Sequence, residues 1–276
     1  MVNISLNRLH FPVKPVAKST STISGPHYRF TVLTDGLLRY EWAPDGQFED
    51  RPSVFAMNRD FPTPEFRVKE TEKELEIITS KFDLSYDKTR FTPSGFSAII
   101  KGFFYDHASV WRYGESCENL GGTARTLDGV DGRCPLGPGV ISRKGYTTID
   151  DTSSTLFGQD GFVASRLDGD DRVDGYLFAY GHDYKGAIQA LYTLSGPQPV
   201  LPRWALGNWW SRYYAYSATE YLTLMDKFEE EQIPLSVAVL DMDWHIIEDE
   251  RILKAGKTGW TGYTWWVCRF SRSKHC

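Results

Sequence analysis

Through its first two thirds the chain carries short stretches in which apolar and polar positions alternate with period two, and then it changes period. Tyr28–Thr34 and Leu37–Ala43 each alternate, and Asp35-Gly36 between them predicts a hairpin, because that pair tolerates positive φ. A second pair follows, Leu75–Thr79 and Phe82–Tyr86, with further short strands predicted at Phe96–Ile100, Thr147–Ile149, Phe162–Ser165 and Gly175–Tyr180. Short strands at this spacing, punctuated by Gly, Pro and Asp, predict a mainly β fold built as a β-sandwich. The residues from 119 to 145 show no period and are rich in Gly, Asp and Pro. A long loop of that kind inside a compact domain is often functional, though a surface excursion would read the same way.

The period then becomes helical. Asp183 is placed to cap a helix over Tyr184–Leu194, and Gly196 to end it. Pro197, Pro199 and Pro202 make a stiff connector, so the predicted domain boundary falls there, with domains at 1–198 and 199–265. Ser217 and Glu220 spell a capping box. Tyr221, Leu224, Met225 and Phe228 follow on one stripe, suited to packing on a sheet. Leu235–Leu240 reads as a buried strand, nearly all apolar, as parallel strands covered on both faces must be. With an earlier strand in the 201–217 segment, the order is β-α-β, the opening of a (β/α)8 barrel.

Composition narrows the class. The 276 residues are 41% apolar and 24% charged, ordinary for a globular protein. The net charge of −5 offers no basic field for nucleic acid or an anionic membrane. The N-terminal residues lack the continuous apolar core of a secretory signal, which favours a cytoplasmic setting unless the true start lies elsewhere. Cys117, Cys134, Cys268 and Cys276 have no metal-ligand spacing and read as incidental thiols, and no cofactor is expected. Aromatic content is high at 14%, with nine tryptophans. Flat rings suit sugar C–H faces, but they suit a packed β core equally, and the core is the simpler account.

Asp241 and Asp243 stand directly after the predicted strand, on the barrel face where ligand groups gather. Carboxylates two residues apart on one strand lie about 6–7 Å from each other on the same side. Glycosidic cleavage needs acidic groups on opposite sides of the scissile bond, so the pair is not an acid/base couple. Hydrogen bonding to substrate by one of them is the expected role. His245 has no partner at metal-ligand spacing.

The run ALGNWWSRYYAYSATEYLTLMDKFEEEQIPLSVAVLDMDWH, with GWTGYTW at 259–265, resembles the barrel start of glycoside hydrolase family 31, which includes α-glucosidases and α-xylosidases. NLGGTARTLDGVDG, GVISRKGYTTIDDT and DGYLFAYG resemble the family's N-terminal β-sandwich, of the galactose mutarotase-like type. The similarity extends over Cys117–Trp265. It implies that Asp241 binds hydroxyls of the non-reducing-end sugar and that Tyr213, after Ser211-Arg212, lines the same subsite. It also implies a loop from the N-terminal domain over the pocket, for which 119–145 is the candidate, with Asp128 or Asp131 at its tip.

Family members are retaining enzymes, with an Asp nucleophile after the fourth barrel strand and an Asp acid/base after the sixth. Neither position is present, so no catalytic residue is assigned. The final residues, 266–276, depart from the family pattern and read either as translation out of frame or as a short basic variant. The expectation is an N-terminal fragment of a retaining α-glucosidase-like hydrolase acting on α-linked oligosaccharides, inactive by itself. A non-catalytic carbohydrate-binding module, a subunit completing a split barrel and an α-xylosidase are the alternatives.

Overall fold

The computed structural model describes residues 12–102, 109–124, 126–158, 160–167, 169–198, 200–214, 216–241, 250 and 254. Asp243, His245, Cys268, Cys276, the GWTGYTW run and the tail at 266–276 lie outside the described residues. The chain divides into two compact units, Met1–Gln198 and Pro199–Cys276.

Alternation in the first unit produces twelve strands among the described residues: β1 (Thr22–Ser24), β2 (Tyr28–Val32), β3 (Leu37–Trp42), β4 (Arg67–Glu70), β5 (Leu75–Ile78), β6 (Phe82–Tyr86), β7 (Phe96–Ile100), β8 (Val110–Arg112), β9 (Thr147–Asp150), β10 (Leu156–Phe157), β11 (Val163–Ala164) and β12 (Val173–Phe178). Two antiparallel five-stranded sheets carry the fold, in the orders β1-β2-β3-β12-β9 and β4-β5-β6-β7-β8. Phe30, Leu38, Tyr40 and Leu177 from the first sheet share one buried core with Leu84, Tyr86, Phe96 and Trp111 from the second. The expected mainly β sandwich is what forms. Its centre is aromatic: Phe96 meets Trp111 edge-to-face at 4.9 Å and packs against a tilted Phe91 ring at 4.8 Å. Much of the aromatic content of the first unit is therefore core material, while Trp204, Trp209, Tyr213 and Tyr214 of the second unit are exposed.

The hairpin at Asp35-Gly36 forms for a different reason than expected. Gly36 is not in the left-handed φ range. A Cβ there would lie 3.0 Å from the Tyr180 ring and 3.0 Å from the Lys81 side chain, so close packing sets the requirement.

The first sheet is covered on its other face too. Leu37, Tyr176 and Phe178 pack with Ala187, Ala190 and Leu194 of helix α1 (Tyr184–Ser195). Asp183 caps α1 by accepting from the Gly186 N–H at 3.0 Å. The same sheet face buries ions. The Arg39 guanidinium donates to both Asp174 carboxylate oxygens at 2.8 Å and to the Glu49 carbonyl at 2.7 Å. Glu41 pairs with Arg29 and Arg39, and Arg166 reaches Asp174 at 2.9 Å and Asp151 at 3.1 Å. Burial opposes charge on Asp174, yet the guanidiniums of Arg39, Arg59 and Arg166 hold its carboxyl well below the usual range. Asp151 moves the other way: burial and the Asp174 charge push it up. These links fasten the segments around Glu49 and Asp151 onto the sheet.

In the second unit, β13 (Trp209–Trp210), α2 (Ala218–Glu230) and β14 (Val237–Ala238) follow in order, with β13 parallel to β14. The capping box is complete, Ser217 Oγ accepting from the Glu220 N–H while Glu220 accepts from the Ser217 N–H. Trp210 packs on Phe228 of the predicted stripe at 5.1 Å. The strand predicted over Leu235–Leu240 is shorter and less buried than its composition implied: Ala238 and Leu240 are exposed. β14 has one hydrogen-bonded neighbour among the described residues, and the exposure of Ala238 and Leu240 shows that it is not covered on both faces.

Candidate functional site at the strand ends

The second unit is held together at its strand entries by backbone. The Asn208 carbonyl accepts from Ser236 N–H at 2.9 Å and Val237 N–H at 3.3 Å, and the Asn208 amide donates to the Pro234 carbonyl at 2.9 Å. Gly207 permits this approach, since a Cβ there would stand 1.8 Å from Ser236 Oγ. An open apolar groove of about 540 Å³ lies along this entry side, lined by Met225, Phe228, Ile233, Pro234 and Val237. It contains none of the candidate residues.

At the exits the register becomes informative. Trp209 stands opposite Val237 and Trp210 opposite Ala238, and the Val239 N–H donates to the Trp210 carbonyl at 2.9 Å. Tyr213 follows Trp210 by the same number of residues as Asp241 follows Ala238. The two candidates therefore leave the same end of adjacent, in-register parallel strands, where side chains from successive barrel units converge on a ligand. Tyr213 is 68% exposed and Asp241 half-buried. Around them, Arg212 lies over the Tyr214 ring at 4.8 Å and donates to Tyr216 Oη at 3.3 Å.

The other two candidates lie on the first unit. The stretch expected as irregular is a narrow ribbon at its base. Asn119 Oδ1 accepts from the N–H groups of Gly121 and Gly139, both at 2.8 Å, and its amide donates to the Gly139 carbonyl at 2.8 Å. Gly122 N–H donates to the Gly137 carbonyl at 2.8 Å, and Gly137 N–H to the Thr123 carbonyl at 3.1 Å. Gly139 lies so close that a Cβ would come within 2.7 Å of the Gly121 carbonyl oxygen. Asp128 sits in the turn beyond, before Gly129 at φ +68°, and both Asp128 and Asp131 are exposed.

Sequence reasoning did not single out Asn119, the Arg39–Asp174 ion layer or the Tyr221 hydroxyl. The signal for the ion layer was present: LLRYEW places Arg39 and Glu41 on alternate positions of a strand that reads as core. Asn119 carried no such signal, because its partners are backbone groups. Cys117 and Cys134 are free thiols, each half-buried. Among the described residues no group of three or more His, Cys, Asp or Glu is arranged to hold a metal ion, and no helix is long and apolar enough to cross a membrane.

Comparison with known proteins matches residues 198–275 to the glycosyl hydrolases family 31 TIM-barrel domain. An α-xylosidase of Saccharolobus solfataricus is 30% identical over 141 residues, 50% of this chain and 18% of that protein. Alpha-glucosidase 2 of Bacillus thermoamyloliquefaciens is 36% identical over 72 residues, 26% of this chain and 9% of that protein. The crystal structure of a family 31 α-xylosidase from Xanthomonas citri superposes with a TM-score of 0.50 at 12% identity, covering 83% of this chain and 45% of that one. The matched residues thus span less than a fifth of each of these two curated relatives. The resemblance read from the sequence is borne out: residues 198–275 carry sequence that matches the family 31 barrel domain, and the chain's relatives include an α-xylosidase and an α-glucosidase.

Proposed function

We propose that this chain is the N-terminal part of a retaining α-glucosidase-like hydrolase acting on terminal α-linked glucose of oligosaccharides. Asp241 and Tyr213 hold the non-reducing-end sugar, Asp241 through its hydroxyls and Tyr213 along its face. Asp128 and Asp131, at the tip of the ribbon, supply further hydroxyl contacts. The observation that carries this reading is the shared exit of Tyr213 and Asp241 from in-register parallel strands. A carboxylate and an aromatic ring are two side-chain types suited to a sugar, an acceptor for its hydroxyls and a flat surface for its C–H face.

As a polypeptide of 276 residues the chain is proposed to bind sugar without turning it over, since no residue matches the family's nucleophile or acid/base. Purified protein should release no product from aryl α-glucosides or aryl α-xylosides, and calorimetric titration with maltose should give heat that Asp241→Asn and Tyr213→Ala abolish. Robust hydrolysis of either substrate would overturn the first part. Silence at millimolar maltose would overturn the second. The α-xylosidase alternative is favoured by the 141-residue match to an α-xylosidase, and tighter binding of isoprimeverose than maltose would select it.

A further inference from the structure

Tyr221 is the buried side chain of α2, yet the apolar stripe it belongs to would be served by leucine. A buried tyrosine generally has a partner for its hydroxyl, and here the partner is informative. Tyr221 Oη donates to the Val239 carbonyl at 2.9 Å. The N–H of that same residue is held by the Trp210 carbonyl. Both backbone polar groups of Val239 are thus fixed, one from β13 and one from α2, two residues before Asp241.

The ring does the equivalent on the other exit. Tyr216 meets it edge-to-face at 5.5 Å and 70°. Tyr216 in turn accepts from Arg212 and packs on Tyr214 at 4.6 Å. The residues on either side of Tyr213 are therefore tied, through Tyr216, to the side chain that holds the approach to Asp241. A two-residue parallel pair has too few ladder bonds to set the direction of its exits without such a tie. Burial, followed by the nearby Tyr216, pushes the Tyr221 phenol up, so it remains a neutral donor through the physiological range.

We infer that Tyr221 is a positioning residue that fixes, from helix α2, the two strand-exit segments bearing Asp241 and Tyr213. This rests on the reading of those two residues as the sugar-holding pair. Its consequence is that sugar affinity depends on a side chain outside that pair.

Tyr221→Phe removes the hydroxyl and keeps the ring, and Tyr221→Leu removes both ties. In the 276-residue protein, Tyr221→Phe should weaken maltose binding about fivefold, the scale of one net hydrogen bond, with helix content unchanged. Tyr221→Leu should weaken it further. Hydrogen exchange at the Val239, Leu240 and Asp241 amides, measured without sugar, should quicken in Tyr221→Phe while amides inside α2 keep their protection. If wild-type protein gives no heat with maltose, the sugar reading fails, and the exchange data still judge the tie. Unchanged exchange at 239–241 in Tyr221→Phe overturns the inference. Wild-type affinity for maltose in that variant, or a loss matched by equal loss of protection throughout α2, overturns it as well.

Discussion

Strands β12 and β14 are both predicted from apolar-rich runs, Gly175–Tyr180 and Leu235–Leu240, and live differently in the structure. β12 lies between β3 and β9, and every residue from Asp174 to Phe178 is buried. β14 has β13 alone beside it among the described residues, and half its pair is exposed. An apolar run records the surroundings a strand is suited to, and neighbours decide whether it obtains them. The contrast extends to polar groups. Strands β3 and β12 can carry Arg39, Glu41 and Asp174 because each charge meets another, and the same charges on a one-sided sheet would simply face water.

The contrast can be broken most forcefully at Asp174. Asp174→Ala takes from the buried Arg39 one of its two carboxylate partners, leaving Glu41, and removes an acceptor from Arg166, so the first unit should lose about 3 kcal/mol in urea unfolding. Hydrogen exchange in α2 should not change. A loss under about 1 kcal/mol would mean that the ion layer is not what fastens the cover to the sheet.

Acid should act on the same layer. Asp174 is held below its ordinary value, so the stability it contributes is present above the unfolded carboxylate pKa of about 3.9 and is lost as pH falls further. Asp151 is raised, and its contribution has the opposite sign, greatest at low pH and declining as it ionises. Stability of the first unit should therefore hold or rise slightly on mild acidification from neutrality, then fall below about pH 4. In Asp174→Ala the fall should be shallower, measured by melting temperature against pH.

Two smaller tests address the second unit. Gly207→Ala places a methyl against Ser236 and should cost about 1–3 kcal/mol of local stability, read as faster exchange at the Ser236 and Val237 amides. Ser217→Ala removes the cap that accepts from the Glu220 N–H and should cost about 1 kcal/mol, visible as fraying at the start of α2. Neither substitution should alter unfolding of the first unit.

Much of this architecture was legible because its cause is local. Both helix caps, at Asp183 and Ser217, are spelled by residues within one turn, and the main strands of both sheets by alternation. Strands β1, β4, β8 and β10 escaped, being short and, in β4, exposed throughout. The role of Gly36 escaped for a different reason: its neighbour Tyr180 is distant in sequence, so a turn rule found the right place by the wrong cause. Candidate site residues were found through strand-end position and family resemblance. Tyr221 was legible as an apolar helix residue but not as a donor, since its partner Val239 is a backbone carbonyl eighteen residues away.

The glycine-lined base of the 119–139 ribbon has one more consequence. Its spacing is dictated by main chain lying on main chain and by a single asparagine, with no contribution from whatever caps the far end. Such a stalk can carry different tips without moving, so exchange of Asp128, Asp131 or Leu127 alters the chemistry presented while its point of presentation stays put.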